Sequence, residues 1–147
     1  MEKTNELNKF LSYIHMGNEV FRIYYKEAEK INSSELKQLI TEIQEQFKKH
    51  EEKVTSLIIK YGYDPVDSLT LSGKMGVIME QLKVVSDNFC IAIDALKAVH
   101  MGDVSALKFI HENKKMDNSV IDDLKKIIDD YDVLKDKIKE YIFKYCS

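Results

Sequence analysis

Apolar residues recur at three- and four-residue steps along four long stretches of this chain, the signature of helices that each turn one stripe toward a core. Over residues 4–31 the stripe is Leu7, Phe10, Leu11, Ile14, Phe21, Tyr24, Tyr25, Ala28 and Ile31, with Asn18 on the same face. Asn32-Ser33-Ser34-Glu35 then breaks and restarts the chain, with Asn32 expected to cap the next helix and Glu35 three positions on. The second stretch, 34–61, carries Leu36, Leu39, Ile40, Ile43, Phe47, His50, Val54, Leu57 and Ile58. It ends at Tyr61-Gly62, where glycine suits a left-handed cap. The third, 87–115, carries Phe89, Ile93, Leu96, Val99, Asp103, Ala106, Leu107 and Ile110. The fourth, 119–145, carries Val120, Leu124, Ile127, Ile128, Tyr131, Leu134, Ile138, Tyr141 and Tyr145, with Ser119 as its expected cap.

Short breaks after the first and third stretches force two antiparallel hairpins. Between them lies a long linker from about Asp64 to Val85, with a short helix expected over 70–83. Met75, Ile78, Met79 and Leu82 share one side of that helix, which suits packing across one end of a bundle.

The two hairpins look like one unit used twice. Ile14-His15-Met16-Gly17-Asn18 returns as Val99-His100-Met101-Gly102-Asp103, midway along the first and third helices. A glycine inside a helix costs about 1 kcal/mol against alanine, so its presence in both halves marks a constraint at that level. Measured outward from the turns, Asn18 and His50 fall at one level, and Tyr131, the counterpart of Gln46, falls near it. The chain is therefore expected to be all-α, an antiparallel four-helix bundle built from two repeated hairpins.

Composition narrows the function. With 147 residues, 44% of them hydrophobic, the chain fits one domain with a real core; one Pro and five Gly suit long helices. A net charge of −3 leaves no basic face for a phosphate backbone, so no nucleic-acid partner is expected. No run approaches the ~18 apolar residues of a membrane span, and the charged start, Met1-Glu2-Lys3-Thr4-Asn5-Glu6, does not read as a signal peptide. Cys90 and Cys146 stand alone, which suits a reducing compartment and makes the cytoplasm the expected location.

Chemistry, if any, is expected at the polar mid-core layer of Asn18, His50, Asp103 and Tyr131. Buried groups of this kind need hydrogen bonds, ion pairs or a metal. Two-metal bundles draw a Glu from each of two helices and Glu-x-x-His from each of the other two. Here the second helix reads Phe47-Lys48-Lys49-His50, the first offers Asn18 with Glu19 one step round, and the fourth has no His. The metal candidates reduce to His50, Asp103 and Glu19, a set that suits iron, manganese or zinc without choosing among them. His15 and His100 are expected half-exposed at the stripe edge, and the tyrosine series reads as core packing. There is no Gly-x-Ser-x-Gly, no phosphate-cradling glycine loop and no Cys/His pairing at catalytic spacing.

Several segments carry a family likeness: Met16-Gly17-Asn18-Glu19, Ser34-Glu35-Leu36-Lys37, Tyr61-Gly62-Tyr63-Asp64-Pro65, Ser72-Gly73-Lys74-Met75, and His100-Met101-Gly102-Asp103 with Ala106-Leu107-Lys108-Phe109-Ile110. Together they resemble small bacterial ferritin-like four-helix proteins, the clostridial members in particular, catalogued as a domain of unknown function. The resemblance implies an up-down-down-up bundle with a long crossover between helices two and three. Of the iron-binding Glu and Glu-x-x-His set it implies, only His50 maps here; Asn18, Phe47, Asp103 and Tyr131 depart from it. The expected function is a non-catalytic bundle with a degenerate metal site, acting through protein association as a homodimer or with another protein. The alternative is a protein that binds Fe, Mn or Zn for redox or storage work through His50 and nearby carboxylates.

Overall fold

The computed structural model describes residues 2–66 and 87–146. Among them are four helices and no strand: α1 (Glu2–Lys30), α2 (Ser34–Lys60), α3 (Asn88–Glu112) and α4 (Asn118–Tyr145). The short helix expected over 70–83 lies outside the described residues. No described helix is long and apolar enough to cross a membrane.

The turns show which residues end each helix. Asn32 closes α1 in the left-handed conformation, at φ 56°, which asparagine tolerates better than most residues. The cap of α2 is therefore not Asn32 but Ser33, whose Oγ accepts a hydrogen bond from the Leu36 amide at 3.2 Å. Gly62, at φ 81°, ends α2 as expected; its amide donates to Ile59 O at 2.8 Å, and the Tyr63 amide donates to Ile58 O at 3.3 Å. Asp87 caps α3 by accepting from the Cys90 amide at 2.8 Å. In α4 the expected cap Ser119 lies inside the helix, and Asp117 takes the cap position without a side-chain bond to the helix. Its carboxylate instead accepts from the Tyr61 hydroxyl at 3.1 Å, tying the end of α2 to the start of α4.

α1 packs on α2 and α3, and α4 packs on α3 and α2. Contacts in each pair step in opposite senses along the two helices. In the first hairpin Asn18 bonds Glu51, while Phe21 meets Phe47. In the second Asn88 bonds Tyr145, while Lys135 reaches Asp103. Between the hairpins a ladder of charges runs along α2 and α4: Lys53 to Asp123 at 3.3 Å, His50 to Asp130 at 2.9 Å, and Glu42 to Lys137 at 3.1 Å.

The buried face of α2 is the predicted stripe without exception. In α3 the helix is turned. It buries Ile91, Ala92, Ala95, Val99, Gly102, Asp103, Ala106 and Phe109, while Phe89 and Leu107, predicted as core, are 47% and 52% exposed. Ile93, Leu96 and Ile110 are only partly buried, as are Tyr25 and Ile31 in the first hairpin and Ile128 in α4; Tyr145 is exposed. α3 is apolar on two faces, so period alone cannot say which one meets the core. The face with small residues wins because it lets the neighbouring helices approach.

That approach explains the repeated glycines. A Cβ at Gly17 would stand 2.6 Å from Phe47 Cδ2, and one at Gly102 would stand 3.0 Å from Tyr131 Cζ. Each glycine is a gap that admits an aromatic ring from the other helix of its hairpin. Tyr131 is thus the structural counterpart of Phe47, one residue from the predicted Gln46. Helix propensity alone would make Gly→Ala stabilising at both sites, by up to about 1 kcal/mol. Packing reverses the sign at the tighter one. In urea denaturation Gly17→Ala is expected to lose about 1–3 kcal/mol, while Gly102→Ala stays within about 1 kcal/mol of wild type.

Candidate functional site

The rings lodged over Gly17 and Gly102 meet in the middle of the bundle. Phe47 and Tyr131 have centroids 5.6 Å apart, and the His50 ring stands edge-on to Tyr131 at 5.0 Å. His50, Tyr131 and Asp103 are all buried. α2 supplies His50 from the centre of its apolar stripe, and α4 supplies Tyr131 from the centre of its own. α3 supplies Asp103, next to the glycine that admits the tyrosine.

His50 and Asp103 each have a partner at the edge of the bundle. His50 Nε2 lies 2.9 Å from Asp130 Oδ2, and because a carboxylate oxygen accepts, the ring proton sits on Nε2. Asp103 Oδ2 accepts from Lys135 Nζ at 2.6 Å. Burial lowers the His50 pKa from its ordinary value; Asp130 opposes this and Lys49 adds to it. Burial likewise pushes the Tyr131 phenol far up, reinforced by the carboxylates of Asp103 and Asp130. The imidazole is held neutral and the phenol protonated. Among the described residues, the buried atoms His50 Nδ1, Asp103 Oδ1 and Tyr131 OH have no hydrogen-bond partner.

The other predicted members lie elsewhere. Asn18 is half-buried and faces the outer edge of α2, donating to Glu51 Oε2 at 2.5 Å, so it does not join His50. Glu19 is on the surface, 2.9 Å from Arg22. His15, expected half-exposed, is only 7% exposed. The chain leaving α2 crosses it: His15 Nε2 lies 3.0 Å from Val66 O, and the Val66 amide donates to Asn8 Oδ1 at 2.7 Å. His100, its counterpart in the repeat, is exposed. Period-based reading finds Asp130 beside Tyr131 but does not pair it with His50, and it misses Lys135 and Glu51, because it scores charged residues as solvent-facing. Lys135 did carry a signal, standing seven residues from both Ile128 and Ile142 and so on one face with them.

The profile of a family described as Domain of unknown function (DUF2383) matches residues 2–96, well over half of the chain. The chain belongs to this family. The matched segment includes Gly17, Phe47 and His50 and stops before Gly102. No curated protein matches the chain, and no solved structure does.

The residues present do not fit the two-metal carboxylate set that a ferritin-like bundle implies. Phe47 occupies the position of the Glu in Glu-x-x-His, and Tyr131 fills the centre. Lys135 competes for Asp103, and Arg22 for Glu19. Among the described residues no group of three or more His, Cys, Asp and Glu side chains comes together. Nor does the site pair a nucleophile with a base, since its phenol and imidazole make no hydrogen bond to each other.

A neutral buried histidine has a consequence for stability. Its pKa is lower folded than unfolded, so the unfolded chain takes up a proton first as pH falls below about 6.5. Its contribution is therefore full above that value and is lost as pH falls toward the folded pKa. Denaturation free energies measured between pH 7.5 and pH 5 are expected to fall more steeply for wild type than for His50→Gln, which keeps a donor for Asp130 without titrating. Equal slopes would show that His50 is not held neutral.

Proposed function

We propose that this chain is a non-catalytic, ferritin-like bundle of the cytoplasm that acts by binding another protein chain through the outer face of α3 and α4. One observation carries the reading: α3 and α4 leave large apolar side chains exposed, Phe89, Met101 and Leu107 on α3 and Val133, Phe143 and Tyr145 on α4. Exposed apolar patches of this kind mark interaction sites. Phe89, Leu96, Asp103 and Ile110 recur at seven residues on α3, and Ile121, Ile128, Lys135 and Ile142 do so on α4. The Asp103–Lys135 pair joins these two rows, and every other member of them is apolar. Phe89, Leu107 and Phe143 stand out beside them, Phe143 being 86% exposed. Two other seams contrast with this one: the α2–α4 seam is a charge ladder, and the α1–α2 groove is lined by Asn18, Arg22, Gln44, Glu45, Lys48 and Glu51.

The opposed stepping of neighbouring helices supports an up-down-down-up course. Two free cysteines, Cys90 and Cys146, support a reducing location.

If association is the function, the protein in native extract of its source runs well above 17.1 kDa on size exclusion. Leu107→Glu, a surface change, then returns it to the size of the single chain. Both forms running as the single chain would overturn the reading.

A second reading draws on the three unpartnered buried atoms, one nitrogen and two oxygens, as ligands for iron or manganese. It requires Asp103 to exchange Lys135 for the metal. Elemental analysis of untagged protein, before and after Fe(II) or Mn(II), is expected to give no stoichiometric metal. One or two metals per chain, lost in His50→Ala while the helical signal stays, would put this reading in place of the first.

A further inference from the structure

We infer that His50 Nδ1, Asp103 Oδ1 and the Tyr131 hydroxyl together bind one water molecule, shared by α2, α3 and α4 at the centre of the bundle. The inference is independent of the association reading above.

The three groups lie at one level of the core. The Tyr131 hydroxyl oxygen stands 3.1 Å from the point that a Cβ on Gly102 would occupy, so it abuts α3 beside Asp103. The His50 ring stands edge-on to the Tyr131 ring, with centroids 5.0 Å apart. His50, Asp103 and Tyr131 are only 3%, 6% and 0% exposed. His50 Nε2 turns outward to Asp130 and Asp103 Oδ2 outward to Lys135, which leaves one buried atom of each on the inner side with the hydroxyl.

The hydrogens available there match a water. His50 spends its one ring proton on Asp130, so Nδ1 presents a bare lone pair. Asp103 Oδ1 is a carboxylate oxygen and only accepts. The Tyr131 phenol keeps its proton, because burial and the carboxylates of Asp103 and Asp130 oppose its loss, and so supplies one donor. One donor and two acceptors cannot satisfy one another without leaving an acceptor over. A water completes the set: its two hydrogens go to His50 Nδ1 and Asp103 Oδ1, and its oxygen accepts from Tyr131. Three bonds is the usual number for an internal water. Other small occupants match less well. A metal cation gains little from a phenol that holds its proton, and an anion would face the Asp103 carboxylate. Bound there, the water joins the Asp130–His50 pair to the Asp103–Lys135 pair. One run of hydrogen bonds then crosses the bundle from the α2–α4 edge to the α3–α4 edge, and such networks are strong when every member is satisfied.

A high-resolution crystal structure of the full chain, with water-oxygen relaxation dispersion in solution, tests this. One water is expected within about 3.2 Å of all three atoms. Wild type is also expected to hold one more long-lived water than the Asp103→Leu, Tyr131→Phe double variant. That variant leaves His50 Nδ1 alone, and a single partner does not retain an internal water. Tyr131→Phe by itself keeps both acceptors, so its water stays but is expected to exchange about tenfold faster. Helical content is checked for each variant, and the wild-type structure decides the matter if the double variant does not fold. The inference is overturned by an equal number of long-lived waters in wild type and the folded double variant. It is overturned equally by a direct bond from the Tyr131 hydroxyl to Asp103, by the absence of any water touching these atoms, or by a metal ion in its place. A metal would favour the second reading above, and none of these results bears on association.

Discussion

Two aromatic rings in two glycine gaps hold this bundle at its centre. Within each hairpin a glycine removes the side chain that would keep the helices apart, and a ring from the opposite helix fills the space. Because the gaps face inward, the rings reach the bundle axis and touch each other across the two hairpins, Phe47 against Tyr131. The helix-propensity loss at each glycine, about 1 kcal/mol, is offset by burying a whole ring, roughly 1.5–3 kcal/mol. The central contact thus belongs to both hairpins at once, and neither could form it alone.

Such a centre leaves little room for polar chemistry. With the axis occupied by rings, Asp103 and His50 send their charged or hydrogen-bonding ends outward, to Lys135 and Asp130 at the edges. Their second atoms remain inside without partners among the described residues. An unpaired buried group costs on the order of 1–3 kcal/mol, so this arrangement is more expensive than an apolar core would be. What it secures is direction, because each group can be satisfied on one side only.

The four described helices, their approximate limits and the whole inner face of α2 were legible in the sequence, because α2 alternates one apolar stripe with charges. α3 was not legible to the same degree. It has only five charged residues, and the stripe with larger side chains, from Phe89 to Leu107, outweighs the alanine and glycine stripe that in fact packs. Size misleads wherever close approach decides the packing. The repeat drew attention to Gly17 and Gly102 correctly, but their role needed the facing rings, which lie in another helix one residue away from where strict repetition puts them. For the candidate site, His50, Asp103 and Tyr131 were placed inside from spacing alone. Asn18 failed because its stripe position sits at the margin, where a neighbour such as Glu51 decides which way it turns. His15 failed because the chain that covers it arrives from residue 66, far beyond any helical period.

The charge ladder between α2 and α4 bears on how the two halves find each other. Sliding α4 along α2 by one turn, about 5.4 Å, keeps much of the apolar contact, since both stripes are long and aliphatic. It does not keep the ladder. Moved one way, the partners of Lys53, His50 and Glu42 become Ile127, Leu134 and Tyr141; moved the other way, they become Ser119, Lys126 and Val133. All three rungs fail together in either direction. Pairs of this kind contribute little to stability one at a time, yet acting in concert they penalise every neighbouring alignment, much as the teeth of a key matter only when all of them are wrong.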